Sequence, residues 1–170
     1  LDRKDGLRKV FEWYLGNPAI SYREIDVGEV RVYVTELKDP KYQQASYNSF
    51  GKINLPKLIN NIVESPNRMN LILDWMKLFS ENNRKVLVLS ERRQHLKNIS
   101  KEADKIGLDC GFYWGGMKQE KLKESESKQF ILGTYHMISE GFDLASLDTL
   151  IFASPKTDIV QASGRILRQG

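Results

Sequence analysis

Lys85-Val86-Leu87-Val88-Leu89-Ser90-Glu91-Arg92-Arg93 is the stretch on which the fold turns. A strand with one wet face alternates apolar and polar residues, whereas Val86 to Leu89 run without interruption. That pattern predicts a short parallel strand covered on both faces, ending where Ser90 restores polarity. Immediately downstream, Leu96, Ile99, Ala103 and Ile106 recur at helical spacing and Gly107 offers a C-terminal stop, so 91–106 reads as a helix.

Working outward, the alternation repeats. Residues 109–114 read as a strand, Gly115-Gly116 as a turn, 118–125 as a helix, 130–133 as a strand, 137–138 as a helical turn, 149–153 as a buried strand, and 158–167 as a helix capped by Asp158. Upstream, Ser65 caps a helix with Pro66 at its first position and Met69, Ile72, Leu73 and Met76 along one face. Strand and helix in regular succession predict an α/β fold, a mostly parallel sheet with helices on both faces and ligand sites at the carboxyl ends of the strands. Ahead of it lies an N-terminal extension or insertion, residues 1–65, part of the same domain. It comprises a leading helix over 7–15, a half-buried strand over 29–37 with Val30, Val32 and Val34 on one face, and a polar loop over 39–51.

The chain of 170 residues, 41% hydrophobic and 10% aromatic, suits a single packed domain. Lys and Arg number 26 against 22 acidic residues, a net charge of +4 that mildly favours a polyanionic partner. Cys110 is the single cysteine, which excludes an internal disulfide and a cysteine-rich zinc site. With no long apolar run and a polar start, the expectation is an intracellular protein, in cytoplasm or nucleus (a virus factory if viral), neither secreted nor in a membrane.

The chemistry concentrates near the carboxyl end. In Gln161-Ala162-Ser163-Gly164-Arg165-Ile166-Leu167-Arg168, two arginines three apart on a helix share a face with Gln161 one turn earlier. Two permanently charged planar forks suit the spreading negative charge of a transferring phosphoryl group, and Gly164 lets another backbone approach. Upstream, Thr134 at a strand end can offer a hydroxyl to a phosphate. Gly141 permits a close approach, and Asp143 can accept from a ribose hydroxyl or an arginine. Taken alone, each pattern reads more readily as a solvated helix or an ordinary turn. His95 and His136 lack a second ligand at metal spacing, and Phe112-Tyr113-Trp114 fit alternating core and surface positions better than base stacking.

Together these segments resemble superfamily-two helicases: residues 161–168 resemble motif VI, 133–143 motif V and 84–96 motif IV, in that order over about 84–170. The wording, with Glu140-Gly141-Phe142-Asp143 and Leu89-Ser90-Glu91-Arg92-Arg93, is most similar to the XPB- and UvsW-like DNA helicases, including large-DNA-virus and phage members. The resemblance implies a RecA-like C-terminal helicase domain over 66–170, breaking off after motif VI. It implies Arg168 as the arginine finger, Arg165 as a second phosphate contact, and Gln161, Gly164, Gly141 and Asp143 near the nucleotide. Thr134, Ser90, Arg92, Gly116 and Lys118 would meet the nucleic acid, although Ser90 reads equally as a helix cap and Arg92 as a solvated side chain.

No Gly-x-x-x-x-Gly-Lys-Ser/Thr loop and no Asp-Glu-x-His pair occurs in the chain. The expectation is therefore that ATP and Mg2+ are held mainly by an N-terminal RecA-like domain of the same parent chain, and that this fragment is inactive as an ATPase by itself. Nucleic acid is the expected track, DNA ahead of RNA. The rival reading is a nucleic-acid-binding module that turns over no nucleotide.

Overall fold

The computed structural model describes residues 31–139, 142, 144 and 146–156. Apart from Arg31, all belong to the compact unit that begins at Val32. Its centre is β1 (Val86–Ser90), all five residues buried, flanked by β3 (Phe130–Thr134) and β4 (Thr149–Phe152). With β2 (Cys110–Tyr113) outside β3, the order is β2-β3-β1-β4 and every pairing is parallel. The uninterrupted apolar run of β1 has this cause: it is an inner strand with a helix layer on each face.

Alternate residues of β1 and β3 point into two separate cores. Val86, Val88, Phe130 and Leu132 pack with Ile72 and Met76 of α2 (Pro66–Glu81) and with Leu96, Ile99 and Ala103 of α3 (Arg93–Lys105). Leu87, Leu89 and Ile131 pack on the opposite face with Leu122 of α4 (Gln119–Ser127), Tyr135 of α5 (Tyr135–Ser139), Phe142 and Leu147. The expected sheet with helices on both faces is thus the one observed. Burying each of these large side chains stabilises the domain by roughly 1.5–3 kcal/mol.

Helix ends follow local chemistry. The Ser65 hydroxyl accepts from the Arg68 N–H at 3.2 Å to start α2, with Pro66 at its first position. Gly107 ends α3 at φ +79°, where Leu108 N–H reaches Ala103 O and Gly107 N–H reaches Asp104 O, a Schellman closure.

Two expectations need correction. No strand forms in the described part of 29–37. Val32 and Val34 are 78% and 90% exposed, and it is Tyr33, on the other face, that packs, its ring 5.5 Å from Trp75. Alternation without a neighbouring strand leaves the backbone with no ladder to join. The stretch before Ser65 instead contains a helix the periodicity missed, α1 (Leu55–Val63), capped by Asn54 Oδ1 accepting from Lys57 N–H at 3.1 Å. The leading helix over 7–15 lies outside the described residues, as do Asp158 and the closing helix it would cap.

Candidate functional site

The carboxyl ends of four parallel strands lie side by side. Ser90 is registered with Thr134, Tyr113 with Gly133 and Leu89 with Phe152, which puts Trp114, Thr134, Ser90 and Ala153 in sequence across one edge. From adjacent β1 and β3 the chain leaves to opposite faces, into α3 and α5 respectively. Neighbouring parallel strands whose connections diverge in this way open a crevice at their carboxyl ends, the usual ligand position in such sheets.

Thr134 is half-buried at the carboxyl end of β3, beside Ser90. Ser90 is fully buried: its Oγ lies 3.0 Å from His95 Nδ1 and accepts from the Arg92 N–H at 3.2 Å, holding the turn between β1 and α3. In this arrangement its oxygen is not open to a ligand. His95 is buried behind it, its Nε2 without a partner among the described residues, and burial, aided by the Arg68 charge, lowers its pKa to about 4. The imidazole is therefore neutral, a packing role as expected from its isolation in the sequence.

Arg92 and Arg93 diverge because Arg92 is the extended cap of α3 and Arg93 its first helical residue. Arg92 turns back on α1, its Nε donating to Asn60 Oδ1 at 2.7 Å and its Nη2 to Pro56 O at 3.4 Å. Arg93 crosses to the β2–α4 turn, where Nη2 donates to Gly115 O at 2.7 Å and the guanidinium sits 5.8 Å from the Trp114 ring centre. Gly116 takes φ +88° in that turn, a left-handed conformation that favours glycine, and Lys118 follows, exposed, as the cap of α4. Phe112 and Trp114 pack ring to ring at 4.5 Å, while Tyr113 meets Phe142 edge-on at 4.7 Å, so these aromatics serve the two cores.

Several residues at this edge gave no sequence signal. Arg68, in the first turn of α2, donates from Nε to Ala153 O at 2.8 Å, and burial lowers its pKa. Tyr135 OH donates to Ser154 O at 2.7 Å, the Glu91 N–H donates to Ser154 Oγ at 2.8 Å, and Lys156 pairs with Glu91 at 2.6 Å. Gly141, Asp143, Gln161, Gly164, Arg165 and Arg168 lie outside the described residues. Among the described residues no group of three or more His, Cys, Asp or Glu is arranged to hold a metal, and no helix is long and apolar enough to cross a membrane.

Residues 67–170 match the helicase conserved C-terminal domain family, a span that takes in the sheet and all three motif segments. The chain belongs to this family. Within it, the chain is 34% identical over 178 residues to the Acanthamoeba polyphaga mimivirus protein named "Putative ATP-dependent RNA helicase L396", covering 98% of this chain and 34% of that one. A second relative, "Putative ATP-dependent RNA helicase QP509L" of African swine fever virus (strain Badajoz 1971 Vero-adapted), is 24% identical over 192 residues, covering 100% of this chain and 37% of that one. The chain thus spans about a third of the length of these relatives. Among solved structures, T4 UvsW superposes with a TM-score of 0.52 at 22% identity over 70% of this chain and 26% of that one, a likeness of fold. The helicase C-terminal recognition, with relatives among large DNA viruses, is borne out at this level.

Proposed function

We propose that this helicase C-terminal domain is the second RecA-like half of an ATP-driven translocase on nucleic acid. The observation that supports it most is the alignment of Ser90 and Thr134 at the carboxyl ends of the adjacent parallel strands β1 and β3, the usual ligand position in such a sheet, in a chain of the helicase C-terminal family. The N-terminal half of the parent protein holds ATP, and this half closes on it. Arg168 acts as the finger and Arg165 as a second contact to the γ-phosphate, with Gln161, Gly164, Gly141 and Asp143 around the nucleotide. Water attacks the γ-phosphorus, the bond to the β–γ bridging oxygen breaks, and ADP and phosphate leave. The guanidinium pair offsets the charge that spreads over the transferring group.

Mg2+ would supply neutralisation of part of the phosphate charge. The described residues offer it no ligand cluster, so its ligands are assigned to the N-terminal half. The chain alone does not turn ATP over. Thr134, the Gly116 turn and Lys118 track the nucleic-acid backbone, and Arg92 and Ser90 shape that surface from behind, through α1 and the β1–α3 turn. Closing and opening of the cleft then moves the protein along one strand. We propose DNA as the polymer on the wording of motifs IV and V. The two viral relatives carry RNA helicase in their names, so both polymers enter the test.

The experiment is nucleic-acid-stimulated ATP turnover by the full-length protein, with single-stranded DNA and RNA compared, before and after Arg168→Ala. The expected result is a loss of about 10³-fold or more in kcat with nucleotide-free nucleic-acid affinity retained. Unchanged turnover removes the finger assignment. Stimulation by RNA alone reverses the choice of polymer.

A further inference from the structure

The motif segment carrying Arg165 and Arg168 is the next one after β4 in the chain, and the exit of β4 is the last described stretch before it. Both backbone groups of Ala153 are held: its N–H donates to Leu89 O at 2.8 Å, continuing the ladder, and its carbonyl accepts from Arg68 Nε at 2.8 Å, across 85 residues of sequence. At the next residue the Ser154 carbonyl accepts from Tyr135 OH and the Ser154 hydroxyl accepts from the Glu91 N–H. Lys156 then pairs with Glu91 and lies 5.4 Å from the centre of the Tyr135 ring.

Arg68 stands apart from the other groups in this clasp. A guanidinium half-buried at a strand end carries a desolvation cost, yet none of the ion pairs among the described residues offers it a carboxylate. Its Nε meets a backbone carbonyl instead, and the arginine is held from its own side as well. Its N–H is capped by Ser65 Oγ, whose hydroxyl donates at 2.5 Å to Asp39 Oδ2, the buried carboxylate of the segment before α1. A run of bonds therefore leads from Asp39 through Ser65 and Arg68 to the exit of β4.

We propose that Arg68 is a positioning residue for the phosphate-facing arginines, setting the exit of β4 so that Arg165 and Arg168 reach the nucleotide when the cleft closes. The inference rests on the proposed role of those arginines. Arg68 touches neither nucleotide nor nucleic acid in this scheme, so its removal lowers turnover and leaves the grip on nucleic acid intact. Displacing reacting groups by about 1 Å from a distant site costs on the order of 10²-fold in rate.

The test uses the full-length protein with Arg68→Met, which keeps the aliphatic stem and removes the donor, Arg68→Lys, and Tyr135→Phe, which removes only the hydroxyl on Ser154 O. Arg68→Met is expected to lower kcat by about 10²-fold. Arg68→Lys, which keeps a donor but not the fixed fork, should recover part of that loss, and nucleotide-free affinity for single-stranded DNA should stay unchanged. If Arg68→Met fails to fold, Tyr135→Phe carries the test, and it too should lower kcat and spare the affinity. Combined with Arg165→Ala and Arg168→Ala together, either change should add nothing, because a positioning residue then has nothing left to position. Unchanged kcat in folded variants, or effects that multiply with the Arg165→Ala, Arg168→Ala double change, overturns the proposal while the finger reading stands. If Arg168→Ala itself leaves turnover unchanged, both fall.

Discussion

Gly111→Ala tests the packing that holds the β2 side of the site. Gly111 sits in β2 against α4, and a Cβ placed on it would lie 2.6 Å from Ser125 Cα, 2.7 Å from Ser125 Cβ and 2.9 Å from Ser125 Oγ. Carbon atoms in contact prefer roughly 3.5–4.0 Å, so about 1 Å of separation must be found. The nearest atom belongs to the helix backbone, and no rotamer change can supply it. Gly111 is not among the glycines of positive φ, so the cost is steric and not conformational. Overpacking of this kind costs about 1–3 kcal/mol, and the stiffer unfolded chain returns roughly 0.4–1 kcal/mol. The expected net loss is on the order of 1–2 kcal/mol, read as a lower urea midpoint at unchanged m-value. Because α4 begins just after the Gly115–Gly116 turn, the same shift should weaken nucleic-acid binding by the full-length protein. A variant as stable as the parent would refute the close approach of β2 and α4 on which this reasoning depends.

Two further outcomes follow from buried titratable groups. Burial, with Asp109 and Asp104 adding to it, pushes the Cys110 thiol up to about 12, so disulfide reagents near pH 8 should label it only at the rate of opening or unfolding; prompt stoichiometric labelling of the native protein would contradict its placement. His95 is lowered to about 4 by burial first and by Arg68 second, against about 6.5 in the unfolded chain. Above pH 6.5 it costs nothing. As pH falls from about 6.5 toward 4, the unfolded chain takes a proton that the folded one refuses, and stability should drop by up to about 3 kcal/mol, a slope that His95→Asn abolishes if the assignment is right.

What the sequence made legible was local or periodic. β1 and β3 announce themselves because inner parallel strands are apolar on both faces, β4 by its short apolar run, and Ser65 and Gly107 mark helix ends because capping is decided within a few residues. The strand expected over 29–37 failed because alternation is necessary for a half-buried strand but does not supply a neighbour to pair with. α1 was passed over although Asn54 and Pro56 are sound start signals, since Lys57, Asn60 and Asn61 dilute its apolar face and none of its residues is fully buried. At the site, Thr134 and the Gly116 turn were readable from strand ends and a glycine pair. Arg68 was not, because a hydrogen bond across 85 residues leaves no trace near either partner.

The same edge shows why its polar residues cannot be assigned by type alone. Ser90, Arg92, Tyr135 and Ser154 all stand at or just beyond strand ends, where ligand contacts are expected, yet each is committed to another part of the domain. Their bonds cross-link β1 to α3, α3 to α1, α5 to the exit of β4, and β1 to that same exit. An edge wired in this way resists deformation when a phosphate approaches, and donors held in place beforehand need no reorganisation during reaction. In the proposed scheme that stiffness serves cleft closure, because Thr134 and the exit of β4 then move together. Loosening the bonds at the exit of β4 should therefore act on turnover before it acts on binding, the pattern that the Arg68 and Tyr135 variants are designed to detect.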